Sequence, residues 1–182
     1  MRFGPYEPVL IVSRDKDYPQ LMMHGDVHIH CPDKNRIVAK PKDILSDLLD
    51  HVLKGDQVDG IPNVLSDDNT FITEGVRSVP MTAARKKYMR DVPVQDWDSP
   101  TVLTELLKVK PKQLDETVKL FAQAKENMER NQKLIDLRLV PEEIMEAILD
   151  KYNEPVVRGP RGMFDYFYKY NMPRLLDRVS YF

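Results

Sequence analysis

The densest run of side chains able to do chemistry is His24-Gly25-Asp26-Val27-His28-Ile29-His30-Cys31. Alternate residues of a β-strand point to one face, so Asp26, His28 and His30 share a side, and a His-x-His pair can bring two imidazole nitrogens to one divalent cation. A cation held there would make a small metal-dependent hydrolase. The competing expectation is that these residues line the wet face of a hairpin whose dry face carries Val27, Ile29 and Cys31. Cys31 is no partner for His30, because strand neighbours point to opposite faces.

The order Asp-x-His-x-His over Asp26 to His30 resembles the first-strand motif of amidohydrolase-type metal enzymes and is similar to that of the polymerase-and-histidinol-phosphatase family. The resemblance covers five residues. It implies a divalent metal, with His51 as a candidate further ligand. No histidine follows residue 51, and 182 residues fall short of a (β/α)₈ barrel, which needs roughly 200 or more. Our assignment of catalytic, cofactor-binding and metal residues is therefore none, and no cofactor is expected.

Other chemistries leave no mark. There is no G-x-G-x-x-G or G-x-x-x-x-G-K phosphate loop and no G-x-S-x-G elbow. The many acidic residues fall mostly on predicted helix surfaces, and no carboxylate pair stands out among them. A basic cluster, Arg85, Lys86, Lys87 and Arg90, could touch phosphate or form a solvated helix turn. The single cysteine excludes an intrachain disulfide. Basic and acidic side chains number 27 and 29, a net charge of −2, so the chain as a whole makes no case for a polyanionic partner. The N-terminus lacks the apolar core of a signal peptide, and no window approaches 18 uncharged apolar residues. Synthesis in the cytoplasm and no membrane contact are expected.

The C-terminal segment differs in composition. Candidate interaction residues there are Arg158, Arg161, Phe164, Tyr166, Phe167, Tyr168, Tyr170, Tyr181 and Phe182, which include 7 of the chain's 15 aromatics. Such residues stack on single-stranded nucleic acid, anchor protein interfaces or complete a core. A protein interface is the leading expectation and nucleic acid the lesser one.

The elements that must position these residues read as α+β: an N-terminal β-hairpin or small antiparallel sheet with one helix, then a mostly helical C-terminal half with extended arms. Strands are predicted at Val9 to Ser13, Gln20 to Cys31 and Arg36 to Lys40, with the turn at Pro32 to Asn35. Ile44, Leu45, Leu48, Leu49, Val52 and Leu53 predict a helix stopped by Gly55. Further helices are expected from Pro100, from about Gln113 to Asp136 as the longest, and from Pro141. The resulting divisions are a small α+β body over 1–55, an irregular arm or connector over 56–98, a helical region over 99–154 and the aromatic, basic segment over 155–182.

Fourteen prolines against 7 glycines favour stiff, extended connectors. With the weak patterning of 56–98, they lead to the expectation of a non-enzymatic structural or adaptor subunit of a large assembly. A phage or viral virion component, such as a head, neck or tail connector, is the instance expected. Its partners would be other protein subunits, copies of itself included, with nucleic acid met only through the C-terminal segment. The chain would end up incorporated in a virion or other large complex. The alternatives are a small accessory subunit of a multi-component enzyme and the metal-dependent hydrolase on the Asp-x-His-x-His strand.

Overall fold

The computed structural model describes residues 6–73, 75–154 and 160–181, apart from the side chains of 160, 161 and 181. The chain divides into two units, Met1–Val140 and Pro141–Phe182. Together they have the α+β make-up expected, a small three-stranded sheet followed by a mostly helical remainder.

β-branched side chains form β1 (Val9–Val12), which runs parallel to β2 (Val27–Cys31) with Val9 opposite Val27 and Ile11 opposite Ile29. The short β3 (Arg36–Ile37) closes the predicted hairpin antiparallel to β2. The expected strand from Gln20 is corrected: Tyr18–Met23 forms a 3-10 helix that buries Gln20 and Met22. Pro19 stands in the first turn of that helix, where no N–H is needed, and the period-2 alternation holds only from Val27 to Cys31. Among the described residues nothing pairs with the outer edge of β1, where Leu10 and Val12 are exposed.

Helix α1 (Ile44–Lys54) begins at Asp43, whose carboxylate accepts from the Ser46 N–H at 2.9 Å, and it buries Leu48, Val52 and Leu53. Gly55 ends it at φ +67°, and a Cβ there would lie 2.4 Å from the carbonyl oxygens of both Ile61 and Pro62. Only glycine fits so close to that backbone.

The segment 56–98, expected as an irregular arm or connector, instead supplies Val64, Leu65, Tyr88, Met89, Val92 and Trp97 to the core. These come as two adjacent pairs, Val64-Leu65 on a turn and Tyr88-Met89 on the short α2 (Ala83–Asp91), with Val92 and Trp97 singly beyond it, so no sustained period reveals them. Trp97 Nε1 donates to Val92 O at 2.9 Å, the Tyr88 hydroxyl donates to Trp97 O at 2.9 Å, and the Tyr88 ring meets Phe121 edge-on at 5.2 Å. Burial, with Asp98 and Asp96 nearby, pushes the Tyr88 hydroxyl up to about 12. The basic cluster faces its own chain: Lys86 and Arg90 share Asp50, Lys87 pairs with Asp91, and Arg85 donates to Pro80 O.

Helix α3 (Pro100–Leu106) precedes α4 (Pro111–Ile135), which fills the longest proline-free stretch and buries Phe121, Ala124, Asn127, Met128, Asn131 and Ile135 along one face. Two of these are amides. Asn127 Nδ2 donates to Val64 O and Ser66 O, and Asn131 Nδ2 donates to Val52 O at 2.9 Å and Pro62 O at 2.8 Å.

The second unit holds α5 (Glu142–Asn153), α6 (Pro160–Lys169) and the one-turn α7 (Pro173–Leu176). No residue of α5 is buried. No described helix is long and apolar enough to cross a membrane.

Truncating Asn131 to Ala leaves the buried Val52 carbonyl without its donor and weakens the hold on Pro62. The expected loss is about 2–3 kcal/mol, read as a lower urea midpoint at unchanged m-value.

Candidate metal centre

Two loops bring carboxylates together. The first follows β1, where Ser13 Oγ accepts the Asp15 N–H and Asp15 Oδ1 accepts the Asp17 N–H at 2.9 Å, which turns Asp15, Lys16 and Asp17 tightly off the strand. The second follows α1. Asp56 and Ile61 exchange backbone hydrogen bonds at 2.7 and 2.8 Å, and Asp56 Oδ1 accepts from the Val58 N–H at 3.0 Å. That closed turn, reached through Gly55, fixes Asp56 inside and leaves Asp59 exposed on its rim.

His51, in the last turn of α1, lies between the loops. Its Nδ1 is 3.1 Å from Asp17 Oδ1 and its Nε2 is 3.4 Å from Asp56 Oδ2. Neutral imidazole can donate to one of these carboxylates, imidazolium to both. Lys16 Nζ also approaches Asp56 Oδ2, at 2.5 Å, from an exposed position. None of Asp17 Oδ1, His51 Nε2 and Asp56 Oδ2 has an aligned hydrogen bond, although all three are buried. One ligand atom from each of Asp17, His51 and Asp56 falls within 4.8 Å of the other two.

The electrostatics are unequal across the group. Burial raises the Asp17 carboxyl above its ordinary value; His51 opposes this, while Asp15, Asp56 and Asp59 add to it. Burial would raise Asp56 too, but the Lys16 ammonium, the Val58 N–H and His51 outweigh it and hold that carboxyl below its ordinary value. Asp15, Lys16, Asp56 and Asp59 also line an open cleft of about 540 Å³, with Ser13, Arg14 and Val58.

Buried amides anchor both loops to α4. Gln20 Nε2 donates to Ile135 O at 3.0 Å and its Oε1 accepts from the Leu137 N–H, which ties the turn after Asp17 to the end of α4. Asn131 holds Pro62 just beyond the Asp56 turn, and Arg130 reaches the same carbonyl and pairs with Asp68.

The strand singled out in the sequence does not form a metal site. His28 Nε2 turns to Asp26 at 2.7 Å while His30 Nε2 turns to Asn35 at 3.3 Å, so the two imidazoles do not converge. His51 stands instead with Asp17 and Asp56. Among the C-terminal candidates, Phe164, Tyr166, Tyr168 and Tyr170 are exposed on or beside α6, and Phe167 is half-buried. Arg158 and Phe182, and the side chains of Arg161 and Tyr181, lie outside the described residues.

Residues 43–182, well over half of the chain, match the family model described as T4 RNase H, C terminal. The chain belongs to that family. Comparison with curated proteins finds no match. The matched region starts at Asp43, the residue that caps α1, so that His51, Asp56 and Asp59 lie within it and Asp15 and Asp17 precede it. Membership overturns the expected virion connector role and points to nuclease-related function, and the diverging imidazoles of His28 and His30 remove the Asp-x-His-x-His alternative. The physical reason for the error is the middle segment, whose prolines and short apolar pairs belong to a packed core rather than to arms.

Because the Asp17 carboxyl is raised in the fold above the ordinary 3.8, the stability it lends is full below that value and is lost as pH rises through the folded value. At pH 7 in EDTA, Asp17→Asn is therefore expected to raise Tm above that of the original chain, and the gain should vanish as the pH is lowered below the ordinary carboxylate range, read by thermal melting at both pH values.

Proposed function

We propose that the chain takes part in divalent-cation-dependent hydrolysis of nucleic-acid phosphodiesters, with Asp17, Asp56 and His51 holding the cation and Asp15 and Asp59 completing an acidic rim. The observation that carries this reading is the convergence of buried ligand atoms without aligned hydrogen bonds from two separate loops. Membership in a family described as the C-terminal part of T4 RNase H supports it.

The donor set fits. Two carboxylates and an imidazole suit Mn²⁺ or Zn²⁺, and carboxylates with water suit Mg²⁺. A bound divalent cation would neutralise phosphoryl charge and lower the pKa of a bound water. Asp17 and Asp56 supply the negative charge that retains it, and His51, which lies between them, would give one ring nitrogen as the third ligand. Lys16, whose ammonium sits 2.5 Å from Asp56 Oδ2 and must swing aside for a cation, and Arg14, 3.6 Å from Asp33, line the same cleft, where they can meet a backbone phosphate.

Titration of the full chain with Mn²⁺ by calorimetry is expected to show binding that Asp56→Asn weakens at least tenfold, with a parallel loss of cleavage of a labelled RNA–DNA hybrid. A chain that binds neither Mn²⁺ nor Mg²⁺ at millimolar concentration overturns the reading.

A further inference from the structure

We infer that the C-terminal unit carries a single-stranded nucleic-acid binding surface, separate from the acidic cluster, in which exposed tyrosines of α6 stack on bases and neighbouring cations meet the phosphates. The inference takes its polymer class from the nuclease reading, and its residues from observations independent of it.

The rings are arranged as two i, i+4 pairs. Phe164 and Tyr168 lie with centroids 6.3 Å apart and planes within 7° of parallel, and Tyr166 and Tyr170 lie 4.6 Å apart. All four are open to solvent, Tyr168 at 72% and the others at about half. A core function would bury them. Phenolic rings offer flat faces of low conformational entropy, and base stacking on such faces tolerates any sequence, because every base has a π-face.

Charge favours a nucleic acid over an ordinary apolar partner only over the last stretch of this unit. Residues 155–182 hold five basic side chains against two acidic ones, a net +3, while residues 141–154 of the same unit hold one basic and five acidic, a net −4. The exposed aromatics thus lie in the positive stretch of the unit and follow its acidic one in sequence. Lys169 sits 5.2 Å above the Tyr170 ring, so that cation and ring present together. Arg174 on α7 and Arg178 just beyond it are exposed. By contrast Arg85, Lys86, Lys87 and Arg90 in the first unit are occupied by their own chain. Unpaired bases are required, because a duplex keeps its faces stacked; the ligand is a single strand or a single-stranded end.

The test is fluorescence anisotropy of a labelled oligothymidylate of about 15 nucleotides, near the upper site size of common single-strand binders, titrated with the full chain in EDTA. Binding is expected without added cation and weaker for a duplex of the same length. Tyr168→Ala, and separately Tyr166→Ala with Tyr170→Ala, should weaken it at least fivefold per ring removed, while Tyr168→Phe retains it. Replacing Lys169 and Arg174 by Ser should flatten the dependence of log K on log salt by about 0.7 for each phosphate that is no longer neutralised. Circular dichroism of these surface variants checks that the helices persist. Alanine variants that bind the oligonucleotide as tightly as the original overturn the inference, and rings that serve to dock a protein would give that result. Mn²⁺ binding, read on the same tyrosine variants, should be unchanged; its absence from the original chain would remove the nuclease reading and leave tyrosine-dependent strand binding standing.

Discussion

Buried backbone carbonyls that no helix or sheet can satisfy set the architecture of the first unit. The chain leaves α1 through Gly55, turns tightly and passes along α4, and this path buries the oxygens of Val52, Pro62, Val64 and Ser66 away from solvent and from any ladder. Leaving one such oxygen unpaired costs about 1–3 kcal/mol. Asn127 and Asn131, one turn apart on α4, answer all four, and Gln20 does the same service at the end of that helix. The two loops that bear Asp17 and Asp56 share no strand or helix with each other. They keep their separation because each is tied to the same rigid rod of 25 residues.

The two units handle apolar surface in opposite ways. The first encloses Trp97, Phe121, Leu53 and Leu103 with essentially no exposure and, among the described residues, gives each buried side-chain polar atom a partner apart from those of the acidic cluster. The second leaves Ile144, Met145, Ile148 and Tyr152 of α5 at about half exposure or more. A stretch this short encloses little core of its own. The buried core of the described residues thus lies in the first unit.

Local signals in the sequence carried the hairpin, α1 and α4 because each rests on short-range physics: Pro32 to Asn35 as a turn, apolar spacing that ends at Gly55, and a long run without proline. The 3-10 helix at Tyr18–Met23 was hidden by apolar residues that suit a strand equally well. Trp97 and the Val64-Leu65 pair gave no periodic sign, since their burial depends on α4, which arrives later in the chain. The acidic cluster was invisible for the same reason. Asp17 and Asp56 are brought together by tertiary folding, and acidic residues are common on any surface. A usable signal did exist in the two short strings, Asp15-Lys16-Asp17 directly after a β-branched run and Gly55-Asp56 through Asp59-Gly60 directly after a helix stop, because loops at element ends are where a fold can aim side chains.

Strand β1 offers one edge to β2 and, among the described residues, leaves the other unpaired, with Leu10 and Val12 exposed. Such an edge is a template on which a second copy could extend the sheet, which is how soluble chains begin to aggregate. Three features hold this in check: the strand is only four residues long, Pro8 abuts its start without an N–H to offer, and Arg14, Asp15 and Lys16 crowd its far end with charge. Self-association is thereby restrained by the same charged turn that builds the acidic cleft, so substitutions that neutralise the cleft also remove part of what keeps the protein in solution.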